Sequence, residues 1–121
     1  MTGREVEFVP ATREMVLAFY GVPPVYTLRG HAAILDGQVV GIGGISYQAG
    51  CLVLFTDAGP ELRARRRDMV RAFRFLEEMI KPIEGPLQAI VQPGEPASER
   101  LLGRLGFQAA DVAGVMRRGI P

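Results

Sequence analysis

Asp36-Gly37 sits between two apolar runs, and this dipeptide restricts the fold more than any other feature of the chain. A type I′ turn needs two residues that accept positive φ, and Asp-Gly is a favoured pair. Ala32-Ala33-Ile34-Leu35 and Val39-Val40-Gly41-Ile42-Gly43-Gly44-Ile45 are therefore expected to pair antiparallel, within residues 27–47. Gln48-Ala49-Gly50 reads as a second turn, and Cys51-Leu52-Val53-Leu54-Phe55 as a strand buried on both faces. Upstream, Val6, Phe8 and Val9 alternate with Glu5 and Glu7, which predicts a short first strand ended by Pro10. Thr12 is positioned to cap a short apolar helix from Met15 to Tyr20, with Gly21 as its left-handed C-terminal residue.

After the loop Asp57-Ala58-Gly59-Pro60 comes the longest helical pattern, about residues 61–80. Leu62, Met69, Phe73, Leu76 and Ile80 fall within about 60° of arc at 100° per residue, a core-facing stripe. Arg63, Arg67, Arg71 and Arg74 lie on another face. Pro82 and Gly85-Pro86 end the pattern, and Leu87–Val91 reads as the next strand. Pro93-Gly94-Glu95-Pro96 opens a helix with Leu101, Leu102 and Leu105 on its apolar side and Gly106 as its stop. Phe107–Ala109 and Val112–Arg117 read as last short strands. The order β-α-β-β-β-α-β-α-β, without repeat or linker, predicts a single α/β (α+β) domain over residues 1–121, built on a mixed, mostly antiparallel twisted sheet flanked by helices.

Residue counts close off several chemistries. Cys51 is the only cysteine and His31 the only histidine, so an intrachain disulfide, a cysteine zinc site and a multi-histidine metal site are excluded. No metal is expected. Cys51, with no adjacent base, reads as a buried small hydrophobe. His31 reads as a surface or hydrogen-bonded residue, with a general-base role as the alternative. No stretch reaches the roughly 18 apolar residues of a membrane span, and the N-terminus lacks a signal-peptide pattern, so a cytoplasmic location and no membrane partner are expected. The net charge of +1 argues against a dedicated nucleic-acid binder. The basic residues are uneven, however: residues 63–74 hold six Arg against one Asp, at the start of a helix where cations are mildly unfavourable. That placement points to a bound anion or an acidic protein partner, with a solvated face as the plainer reading. Gly41-Ile42-Gly43-Gly44 lacks the helix and the later glycine of a dinucleotide loop, and strand glycines mark a bulge or a close backbone approach.

The element order, in a chain of this size, resembles the GNAT acyltransferase fold. Two stretches carry the likeness locally. Ala33–Gly41 is similar to that family's central hairpin, and Ser98–Phe107 to its late helix ending in Leu-Gly-Phe. The resemblance implies a sheet splayed after the fourth strand, with acetyl-CoA in the opening, and acetyl transfer to an amine. It further implies that the backbone of Phe55 and Thr56 pairs with the pantetheine arm. The family's phosphate signature, an Arg or Gln followed by glycines at +3 and +5, falls on Arg63, Arg66 and Asp68. Arg63 fits the leading position. Arg66 and Asp68 replace the glycines, so Arg63, Arg65, Arg66 and Arg67 are expected to hold phosphates through guanidinium contacts instead.

Other family residues are replaced. Leu102 stands where a Tyr acid is common, Glu95 where Asn is common, and residues 51–56 hold no carboxylate, leaving Asp57 as the nearest one. The catalytic acid and base are thus unassigned from sequence. Tyr20, Tyr26 and Tyr47 could line an acceptor pocket or be ordinary half-buried aromatics. These replacements leave an alternative open: a catalytically degenerate GNAT-like structural or interaction protein, of the kind found among small proteins of tailed bacteriophages and then virion-associated. Such a protein would meet its partner through the Arg63–Arg74 helix. A homodimer fits either reading.

Overall fold

The computed structural model describes residues 5–24, 27–48, 50–90, 96–110 and 115–119. Tyr26, Ala49, Val91, Pro93, Gly94, Glu95 and Val112, named above, lie outside them. The elements run β1 (Glu7–Pro10), α1 (Arg13–Tyr20), β2 (Thr27–Leu35), β3 (Gln38–Gln48), β4 (Cys51–Ala58), α2 (Pro60–Arg63), α3 (Arg66–Ile80), β5 (Leu87–Ile90), α4 (Pro96–Arg104), β6 (Gln108–Ala109) and β7 (Val115–Arg118). The strands form one sheet in the order β1-β2-β3-β4-β5-β7-β6, in which only the β4–β5 pair is parallel.

Local chemistry sets several boundaries. Asp36 (φ 51°) and Gly37 (φ 77°) form the expected tight turn, with Leu35 opposite Gln38. The Thr12 hydroxyl accepts from the Met15 N–H at 3.2 Å, and Gly21 ends α1 at φ 78°. Pro10 belongs to β1 instead of ending it, which an edge strand tolerates because the missing N–H faces no neighbour. Cys51 is half-buried, not fully buried as its apolar neighbours suggest, because it opens the strand at the turn. Phe107 precedes β6 and is buried in the core.

Two layers of helix sandwich the sheet. On one face Val16 of α1 packs on Ala32 and Ile42. The alternate residues face the other way, where Leu54, Leu76, Ile80, Leu87, Ala89 and Leu102 form the largest cluster. A third cluster joins Val6, Ala33, Leu35, Val40 and Leu62. Val40 is an extra residue: Ala33 pairs with Gly41 and Ile34 with Val39, so a β-bulge turns Val40 toward Leu62.

The sequence pattern over 61–80 does not form one helix. It breaks at Ala64-Arg65, with the Arg65 N–H donating to the Leu62 carbonyl at 2.9 Å before α3 restarts at Arg66. Ala and Arg are good helix formers, so the break is not a matter of propensity. At the break, the Leu62 side chain fills the space left by the absent side chain of Gly41, where a Cβ would lie 2.6 Å from Leu62 Cδ2. Leu76 and Ile80 then bury as expected, while Met69 and Phe73 are only half-buried. Phe75, outside the expected stripe, stacks on Phe8 and His31 at centroid distances of 5.0 and 4.7 Å. At the far end, Arg118 Nη2 donates to the Ile80 and Ile83 carbonyls, each at 3.2 Å, tying the last strand to the end of α3 and the turn after it.

Candidate active site

β4 and β5 run together for only three residues, Leu52–Leu54 beside Leu87–Ala89. β4 then continues through Phe55–Ala58, still paired to β3, while its other edge has no strand partner among the described residues, which leaves a gap beside it. The Gly59 N–H donates to the Val40 carbonyl at 2.8 Å. Counting back in twos from that bond, Asp57 and Phe55 turn their backbone groups toward β3, whereas Ala58 and Thr56 turn theirs into the gap. Of the two backbones expected to meet a ligand there, Thr56 therefore faces the gap and Phe55 does not. Ala58 does, and the pairing with β3 is what fixes this phase.

The Arg cluster surrounds the start of α3. Met69 N–H makes the first helical bond, to the Arg65 carbonyl at 3.0 Å. Arg65, at the cap position, offers no side-chain acceptor. The N–H groups of Arg66, Arg67 and Asp68 have no backbone partner among the described residues. The helix thus presents open donors and its positive dipole end. Arg63, Arg66 and Arg67 are exposed around them. Arg65 is not aimed outward: its Nη1 lies 3.5 Å from Asp68 Oδ2, and Arg71 Nη1 lies 2.8 Å from Asp68 Oδ1. Arg71 also donates to the Val6 carbonyl and lies over the Phe8 ring at 4.8 Å. Asp68, flanked by two guanidiniums, is thereby removed as a repelling charge at the helix start.

On the opposite face of β4, α1 reaches the strand. The Tyr20 hydroxyl donates to Asp57 Oδ2 at 2.5 Å, a short bond to a carboxylate. Burial, then that bond and the Asp57 charge, push the Tyr20 phenol far above its ordinary value near 10. The folded chain therefore holds this proton at pH values where the unfolded chain has lost it, so stability falls as pH rises above about 10. Tyr20→Phe is expected to show a shallower alkaline loss of stability than the parent in urea titrations at pH 9–11. Equal slopes would mean that the Tyr20–Asp57 bond is absent in solution. No local pattern links residues 37 positions apart, and so the pairing was not visible in the sequence.

The remaining candidates separate. His31 is half-buried and faces α3, with its ring against Phe75 and its Nδ1 buried without a hydrogen-bond partner among the described residues. Tyr47 is 57% exposed. Leu102 lies in the core and offers no proton. Among the described residues no three His, Cys, Asp or Glu gather as metal ligands, and no helix is long and apolar enough to cross a membrane.

No family model matches the sequence, and no curated protein sequence matches it. Solved structures do match its fold. A Sphaerobacter thermophilus protein assigned as an acetyltransferase superposes with a TM-score of 0.61 at 15% identity, over 96% of this chain and 94% of that one. The GNAT-family acetyltransferase from Streptococcus pneumoniae gives 0.58 at 16% identity, over 94% and 98%. The PaiA N-acetyltransferase from Thermoplasma acidophilum, solved with coenzyme A, gives 0.52 at 15%, over 85% and 65%. The architecture is that of GNAT acetyltransferases.

Proposed function

We propose that this chain, which has the acetyltransferase fold, binds acetyl-CoA in the gap between β4 and β5 and transfers the acetyl group to an amine. The observation that carries the reading is the occurrence together of a β4 edge unpaired among the described residues and the Arg-flanked N-terminus of α3. The donor fits these residues. The backbone of Thr56 and Ala58 would run along the pantetheine arm as a neighbouring strand would. The N–H groups of Arg66, Arg67 and Asp68, with the side chains of Arg63, Arg66 and Arg67, would hold the pyrophosphate. Asp57, oriented by Tyr20, is the carboxylate we assign to accept the amine's proton. Proximity of amine and thioester would supply much of the rate. The coenzyme A in the Thermoplasma acidophilum structure supports the donor class. The acceptor is an amine of a small molecule or of a protein, and a cytoplasmic homodimer is compatible with this chemistry. The alternative of a non-catalytic phage scaffold gains no support from these neighbours.

Calorimetric titration with acetyl-CoA and with CoA tests the donor site. Micromolar binding is expected, weakened about 10- to 100-fold in Arg66→Ala/Arg67→Ala, since hydrogen bonds to charged groups contribute about 1.5–3 kcal/mol each before solvent screening. Absence of binding at millimolar ligand would overturn the reading.

A further inference from the structure

A cavity of about 30 Å³ lies between the sheet and α3, next to the gap just described. Its floor follows one cross-strand row. Thr56 of β4 stands opposite Gly43 of β3, which stands opposite His31 of β2. The two outer residues are about 9–10 Å apart, two strand spacings. Gly43 leaves the middle of the row without a side chain, and a Cβ added there would come within 3.3 Å of Leu76 Cδ2 and 3.6 Å of Thr56 Oγ1. Ala72 and Leu76 of α3 contribute to the roof. One end is Thr56, the residue whose backbone faces the gap. The other end is His31, whose buried Nδ1 has no hydrogen-bond partner among the described residues.

From this row we infer that the donor site also accepts an acyl group one methylene longer than acetyl, propionyl, and binds it more tightly. The inference rests on the acyl-CoA reading above and names its substrate more closely. A thioester placed at Thr56 has the cavity beside it on the α3 side, and the cavity exceeds what one water-sized group needs. One further methylene would be buried there against Gly43, Ala72 and Leu76. The pocket also sets an upper limit. A long alkyl chain would bring methylenes against His31 Nδ1 and leave that polar atom unsatisfied, whereas a short chain leaves room for a bound water.

The test is a calorimetric comparison of CoA, acetyl-CoA, propionyl-CoA and octanoyl-CoA on the intact chain and on Gly43→Ala and Ala72→Leu, which fill the cavity from the floor and from the roof. Propionyl-CoA is expected to bind about fourfold tighter than acetyl-CoA, the gain of one buried methylene, and octanoyl-CoA no tighter than propionyl-CoA. Whichever filled variant folds should bring the propionyl-to-acetyl ratio close to one. Acetyl-CoA binding as tightly as propionyl-CoA, or a preference that survives in a folded filled variant, overturns the pocket assignment while leaving the CoA site standing. Failure of CoA itself to bind overturns the acyl-CoA reading and the pocket assignment with it.

Discussion

Gly44→Ala will destabilise the fold by at least about 3 kcal/mol, at the upper end of what overpacking costs. Gly44 pairs with Gly30 across β2 and β3, and the two backbones approach so closely that neither position has room for a side chain. A Cβ on Gly44 would overlap the Arg29 carbonyl oxygen and sit 2.5 Å from the Gly30 Cα; a Cβ on Gly30 would overlap the Gly43 carbonyl oxygen. The obstructing atoms are backbone held in the ladder, so no rotamer change relieves them. β2 and β3 would have to separate in the middle of the sheet. Gly103→Ala is the control. Gly103 lies inside α4, and a Cβ there meets nothing within 4 Å. That substitution should stabilise by up to about 1 kcal/mol through helix propensity and a less flexible unfolded chain. Urea unfolding of both variants decides the matter, and a Gly44→Ala midpoint equal to the parent's would show that this crossing is looser in solution.

Asp57→Asn is expected to lower turnover about 100-fold or more, the range for loss of a positioned base, once an acceptor amine is in hand. The amide keeps the shape of the carboxylate but cannot accept the proton. CoA affinity should change by no more than about twofold, because the Asp57 backbone turns toward β3 and its side chain lies on the α1 face, away from the start of α3. Tyr20→Phe should cost less than Asp57→Asn, since it removes an orienting bond and leaves the carboxylate. Turnover of Asp57→Asn within about threefold of the parent would remove Asp57 from the mechanism.

Much of the architecture was written locally. The Asp36-Gly37 turn, the Thr12 cap and the Gly21 stop each depend on a few adjacent residues, and each stands where its residue type requires. The order of elements needed only the periodicity of apolar residues and the positions of Gly and Pro. The strand glycines proved structural: Gly41 admits Leu62, Gly43 lies under Leu76, and Gly44 meets Gly30.

The site was legible only as a region. Sequence placed a cluster of Arg at the start of a long helix, but one periodic stripe cannot reveal that Leu62 and Leu76 belong to two helices. The break at Ala64-Arg65 accompanies the packing of Leu62 against Gly41, about twenty positions away, and it is this break that opens three backbone donors among the Arg side chains. The same holds for charge. Asp68 looks repulsive in the sequence and is held between Arg65 and Arg71 in the fold, while Arg65 is lost to the cluster's outer face. Register decided that Thr56 and not Phe55 faces the gap, because a strand's backbone groups alternate sides and only pairing fixes the phase. Short-range sterics and turn chemistry are properties of the sequence. The pairing of Tyr20 with Asp57, and of His31 with Phe75, joins residues whose separation along the chain carries no pattern, and only the packed sheet and helices bring them together.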